Sequence, residues 1–262
     1  MINNDLPHLP ERTSKPRQSG INMVMDKGLS TREAEDFITT SAEYTDYLKL
    51  GFGTSLLTPN TKEKIKVYQK ARMKVYVGGT LFEAYIIRGQ FDAYRRYIDH
   101  LGLDTVEISD GSMAMDHDVK CEYIHTLAKD YTVLSEVGSK ESGILIAPNR
   151  WIEMMQKELQ AGSVKVIGEA RESGNVGIYR PTGKAHVALI NKILVKVQSE
   201  KILWEAPLKS QQVWFIRNFG ANVNLGNIAP SEVIPLETLR LGLRGDTFFQ
   251  FLPAKLKKFQ PK

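Results

Sequence analysis

Short apolar or β-branched runs recur along the chain, each giving way to a glycine or a charge and then to a segment with helical spacing. The runs are INMVMD (21–26), TDYLKL (45–50), MKVYVG (73–78), DTVEIS (104–109), YTVLSEV (131–137), VKVIGEA (164–170), KILWEA (201–206) and NVNLG (222–226). Brief apolar runs bounded by turn formers read as strands buried on both faces. Their starts lie 21 to 37 residues apart, room for one strand, one helix and two loops.

The segments between them carry helix signals. STREAEDFITTSAEY opens on Ser30 with Glu33 three residues on, a capping box. NTKEKIKVYQKAR starts at Asn60, a residue type favoured at helix N-caps, and NRWIEMMQKELQAG runs from Asn149 to Gly162. SQQVWFIRNFG spans Ser210 to Gly220 in the same manner. Strands alternating with helices imply parallel pairing through right-handed crossovers. Eight such units predict an α/β fold, a single-domain (β/α)8 TIM barrel over 20–250. A polar N-terminal extension (1–19) and a basic C-terminal tail (251–262) flank it. An open doubly wound sheet is the competing architecture, but MDKGLS after the first strand lacks a glycine-rich dinucleotide fingerprint.

Composition changes this picture little. With 262 residues, 42% hydrophobic and 25% charged, the chain can bury a sizeable core unaided. A sequence pI near 9.1 raises the question of nucleic acid. Yet four of the five net positive charges fall in the last twelve residues, FLPAKLKKFQPK, so no basic surface for nucleic acid is expected. The single cysteine, Cys121, excludes an internal disulfide and reads as a small buried group. The N-terminus lacks a signal-peptide core, and no run approaches the length of a membrane span. The expectation is a cytoplasmic protein with no membrane partner, assembled as a homo-oligomer.

Barrel chemistry sits at the carboxyl ends of the strands. There the chain presents Asp26 and Lys27, then Lys49, then Gly78-Gly79-Thr80 with Glu83 beyond. Glu107, Ser109 and Asp110 follow, then Glu136 with Lys140 after it, and Glu169, Arg171 and Glu172. Glu205 ends the seventh strand, and Asn224 and Asn227 flank Gly226 at the eighth. Residues two apart share a strand face, so Glu169 and Arg171 are expected to point together and Glu172 toward the helices. Buried charges must be paired or hold a cation. Carboxylates without histidine or cysteine favour a hard cation such as Mg²⁺ and argue against zinc and haem. A Ser-His-Asp hydrolase is unsupported, for there is no G-x-S-x-G elbow. Lysines and arginine beside the acids point to a small anionic substrate. The glycine turns VGGT and NLGNIAPSEVI offer backbone N–H groups to phosphate.

The blocks VMDKGL, KLGFGTS, GGTLFE, VEISDGS, EVGSK, EARESG, EAPLKSQQ and VNLGNI…LETLRLGLRGDT resemble, in order and over nearly the whole chain, the phosphosulfolactate synthase family. The resemblance implies a (β/α)8 barrel that adds sulfite to C3 of phosphoenolpyruvate with Mg²⁺, giving 2-phospho-3-sulfolactate, which in methanogens leads to coenzyme M. It implies Lys140 as the acid that protonates C2, with Lys49 as the second choice. It draws metal ligands from Glu107, Glu136, Glu169 and Glu205. Lys27, Arg171, Asn224, Gly226 and Asn227 become candidates for the substrate anions.

Competing readings remain at several positions. Arg171 neutralising Glu169 and Glu136 in an ion network is one. Arg240 and Arg244 on a solvated helix face is another. The chain as a whole reads alternatively as another Mg²⁺-dependent barrel enzyme for a small anion, or as a non-catalytic heat-stress-associated relative of the same fold.

Overall fold

The computed structural model describes residues 6–138 and 146–261. Strands and helices alternate as expected: β1 (Asn22–Asp26), α1 (Thr31–Ser41), β2 (Tyr47–Leu50), α2 (Thr61–Lys70), β3 (Lys74–Val77), α3 (Gly79–Ile86), α4 (Phe91–Leu101), β4 (Thr105–Ile108), α5 (His117–Leu127), β5 (Thr132–Val137), α6 (Pro148–Ala161), β6 (Lys165–Gly168), α7 (Val187–Lys196), β7 (Ile202–Glu205), α8 (Lys209–Phe219), β8 (Leu225–Ile228) and α9 (Val233–Arg240). All strand pairs are parallel, in the order β3-β2-β1-β8-β7-β6-β5-β4, with β1 joined to both β2 and β8. The result is a (β/α)8 barrel whose seam lies between β3 and β4.

That seam is held by side chains instead of a backbone ladder. Gly79 N–H donates to Glu107 Oε1 at 2.6 Å, joining the end of β3 to β4. Glu83 of α3 accepts from the Ser109 hydroxyl and, at 2.6 Å, from Ser112 N–H.

Period-two alternation sorts each strand into two environments. Outward residues such as Val24, Leu48, Val75, Val106, Val133, Val166 and Trp204 pack with the helices in the large outer core. Inward residues stack in layers along the barrel axis. The lower layer is apolar, with Met23, Tyr47, Tyr76, Leu134, Ile167 and Leu203. Two residues further on, the buried upper layer carries Met25, Lys49, Glu136, Glu169 and Glu205.

The Ser30/Glu33 capping box forms at α1 as expected. Three local expectations shift. Asn60 is the N-cap of α2 but adopts φ 56° and makes no side-chain cap bond. α6 begins at Pro148, capped by Ala147, so Asn149 lies inside it. β8 starts at Leu225, later than the expected run, because Asn222 and Asn224 are engaged before it. Asn222 accepts from Arg12, and Asn224 bonds Ile21 N–H and the carbonyls of Glu200 and Ile202.

Arg240 overturns its expectation of a solvated helix face, since it has no exposed surface. α9 turns it into the floor of the barrel, where it donates to the carbonyls of Ala221 and Val223 and to Asn22 Oδ1 at 2.6 to 2.8 Å. Arg12, from the segment before β1, joins this floor through two bonds to Glu237 at 2.9 and 3.0 Å. Among the described residues no helix is long and apolar enough to cross a membrane.

Candidate active site

At the carboxyl ends of the strands lies a cavity of about 400 Å³, lined at its floor by Lys49, Glu136, Glu169 and Glu205 and at its rim by Phe52, Arg171, Glu172 and Asn227. The floor follows from the upper inward layer. Lys49, two residues after Tyr47, stands over the apolar layer, and Glu136, Glu169 and Glu205 stand in the same way over Leu134, Ile167 and Leu203.

Lys49 Nζ is 3.0 Å from Glu107 Oε1, 3.5 Å from Glu205 Oε1 and 3.6 Å from Glu136 Oε2. Burial by itself would drive its proton off, but Glu107, Glu205 and Glu136 outweigh that and hold its pKa well above the usual lysine value. Lys49 is therefore held toward its charged, ammonium form. Burial pushes the Glu205 carboxyl up to about 7; Lys49 opposes the shift and the negative charge of Glu136 adds to it. Glu205 Oε2 also accepts from Ala170 N–H at 2.9 Å.

Carboxylate oxygens of Glu136, Glu169 and Glu205 all lie within 4.8 Å of one another, so these three buried acids can hold a metal ion together. Their all-oxygen chemistry suits a hard divalent cation. Of the four acids expected as ligands, Glu107 stands outside this group. It is turned to the seam, bonded to Gly79 N–H and paired with Lys49.

The rim is organised by residues where strand alternation no longer applies. β6 ends at Gly168, and Arg171 takes φ 53°, which reverses the chain. Hence Glu172 does not face the helices as expected. It turns to the mouth and pairs with Lys27, which also sits 6.0 Å from the centre of the Phe52 ring. Arg171 is exposed and lines the cavity from above, and its backbone N–H donates to Glu169 Oε1 at 2.6 Å. Asn227, with φ 55°, is 7% exposed, lines the cavity and has no hydrogen-bond partner for Oδ1 among the described residues. A left-handed non-glycine residue with an unsatisfied buried amide is strain of a kind that gathers at binding sites.

Other expected residues are not brought here. Asn224 lies at the opposite, amino end of the barrel, bonded as described above to Ile21, Glu200 and Ile202. Gly226 is within β8 and not in a phosphate-binding turn. A Cβ there would fall 2.8 Å from Met23 Cε, so its role is to let the inner core close. The Gly79 N–H of the other glycine turn is consumed by Glu107. Asp26 serves structure, pairing with Lys64 at 2.7 Å and accepting from Tyr68 at 3.0 Å, and Asp110 pairs with buried Lys120 at 2.9 Å. Lys140, the expected proton donor, lies outside the described residues. Thr80 and Ser173 also line the cavity, together with Met25 and Ser112, which carry no charge to single them out in the sequence.

The family model of (2R)-phospho-3-sulfolactate synthase (ComA) matches residues 10–246. Phosphosulfolactate synthase of Methanothermobacter thermautotrophicus is 41% identical over 244 residues, covering 91% of this chain and 95% of that protein. The phosphosulfolactate synthase of Bacillus subtilis is 39% identical over 244 residues, covering 92% of this chain and 97% of that one. Among solved structures, 3-hexulose-6-phosphate synthase from Salmonella typhimurium matches with a TM-score of 0.53 at 14% identity, over 86% of this chain and 100% of that one. This last likeness is one of fold alone.

Proposed function

Since the chain belongs to the (2R)-phospho-3-sulfolactate synthase family, a family of carbon–sulfur bond-forming enzymes, we propose that its cavity joins sulfite to phosphoenolpyruvate with the help of Mg²⁺. The observation that carries this reading is the convergence of Glu136, Glu169 and Glu205 within reach of one ion, beside Lys49 and beneath Arg171. The three acids fit a hard cation, and Mg²⁺ held there would supply Lewis-acid stabilisation to negative charge developing on the substrate.

In the proposed reaction the sulfur lone pair of sulfite forms a bond to C3 of phosphoenolpyruvate. The C2–C3 π pair moves toward C2 and the carboxylate, giving an enediolate-like species, and a proton delivered to C2 completes 2-phospho-3-sulfolactate. Lys49 is suited to hold a fixed positive charge against the developing anion. Its three carboxylate neighbours make it a reluctant acid, since they stabilise its ammonium form. Proton delivery is assigned to Lys140 of the EVGSK block, as the resemblance to the family implies. Arg171 and Lys27 at the rim, with the Asn227 amide, grip the phosphate or sulfite oxygens.

The test is direct. Purified protein is incubated with phosphoenolpyruvate, sulfite and Mg²⁺, and phosphosulfolactate is sought by mass spectrometry. Product that depends on all three supports the reading; none between neutral and mildly alkaline pH sinks it.

A further inference from the structure

We infer that Gln211, at the start of α8 and outside the cavity lining, is a positioning residue that sets the rim over the active site. This rests on the proposed role of Arg171 as an anion grip. Gln211 is 2% exposed. Its Nε2 donates to Gly174 O at 2.7 Å and to Gly183 O at 3.2 Å, while its Oε1 accepts from Leu208 N–H at 3.2 Å. One amide thus ties two points of the segment between β6 and α7 to the N-terminus of α8.

From Gly174 the bonds continue inward. Gly174 N–H donates to Arg171 O at 3.3 Å, and Arg171 N–H donates to Glu169 Oε1 at 2.6 Å. The chain of contacts runs from Gln211 through the left-handed Arg171 to a carboxylate of the metal-binding group. Both Arg171, whose side chain overhangs the cavity, and Glu169, beneath it, take their orientation from this run. The fit around Gln211 is close: a Cβ on Gly174 would lie 2.5 Å from Gln211 Nε2, and the position has φ +64°. Only glycine satisfies both demands. A second strut, Tyr179 OH to Glu205 O at 2.7 Å, anchors the same segment between Gly174 and Gly183. With that strut intact, loss of Gln211 loosens the rim locally.

Gln211→Ala is expected to weaken phosphoenolpyruvate binding, measured by calorimetry with Mg²⁺ present, by about tenfold through lost preorganisation, with kcat changing less than about threefold. In an Arg171→Ala background the same substitution should bring a clearly smaller loss of affinity. Amide hydrogen exchange across 171–186 should quicken without ligand, while the strands keep their protection. Should Gln211→Ala fail to fold, Gly174→Ala, which forces Gln211 aside, carries the same expectations. Unchanged exchange across 171–186 overturns the inference even if the wild-type protein forms no product. So does an affinity loss that persists undiminished without Arg171.

Discussion

Lys49 and Glu107 form a buried ion pair inside the barrel, Nζ to Oε1 at 3.0 Å, and the same carboxylate oxygen accepts the Gly79 N–H across the seam between β3 and β4. One glutamate thereby fixes the cation of the active site and closes the sheet. Its other oxygen, Oε2, is buried without a hydrogen-bond partner among the described residues, so its charge is balanced chiefly through Lys49 and the seam.

Replacing Lys49 by methionine leaves Glu107, Glu136 and Glu205 facing one another without their shared cation. Breaking a buried pair from one side costs about 3–5 kcal/mol. The loss should be largest near pH 8 and shrink toward pH 6, where Glu205, its carboxyl raised to about 7, takes up a proton. Urea unfolding at the two pH values reads this directly. Equal losses at both would mean that Lys49 does not balance these carboxylates.

Metal affinity should follow the protonation of Glu205. Its carboxyl is raised to about 7 in the metal-free protein, so below that pH a proton competes with the ion. Mg²⁺ affinity should fall by up to about tenfold per pH unit below 7, since one proton is displaced per ion bound. The sign for folding is the opposite. A raised folded-state pKa contributes stability at low pH that is lost as pH climbs from the unfolded value through 7, so this group destabilises the metal-free protein on going from pH 6 to 8. Calorimetric titration of Mg²⁺ from pH 6 to 8 checks the first, and metal-free melting curves the second. Glu205→Gln should flatten both dependences, with weak metal binding throughout.

Glu172 holds Lys27 at the mouth, through an exposed pair that contributes little to stability. Its negative charge opposes the approach of anions. Glu172→Gln should lower KM for phosphoenolpyruvate by about two- to fivefold at low ionic strength, with the gain vanishing at high salt. Steady-state kinetics at two salt concentrations decide it, and a KM that rises would show instead that Glu172 itself holds substrate.

Asn224 and Asn227, three residues apart, should separate cleanly on substitution by alanine. Asn224→Ala breaks bonds at the amino end and should cost roughly 1–3 kcal/mol of stability with KM unchanged. Asn227→Ala should raise KM several-fold with a smaller change in stability. Denaturation and kinetics on the pair test the assignment of the two ends; a KM effect at Asn224 would contradict it.

The eight strands and their inward faces were legible because both are local properties of the chain. An apolar run marks a strand buried on both sides, and a period of two carries the barrel interior from Tyr47 to Lys49, from Leu134 to Glu136, from Ile167 to Glu169 and from Leu203 to Glu205. That rule expires with the ladder. Past Gly168 the left-handed Arg171 reverses the chain, and Glu172 reaches Lys27 where alternation had aimed it at the helices. Other outcomes depended on residues far away in the chain. Glu107 was drawn to the seam by Gly79, Arg240 was drawn into the floor by carbonyls of Ala221 and Val223, and Gln211 met Gly174 across 37 positions. The sequence alone determined the barrel and which strand positions face its axis. Only the tertiary structure decided which buried charges meet, because Coulomb and hydrogen-bond partners are chosen by distance in space, and only closure of the barrel brings those groups within reach.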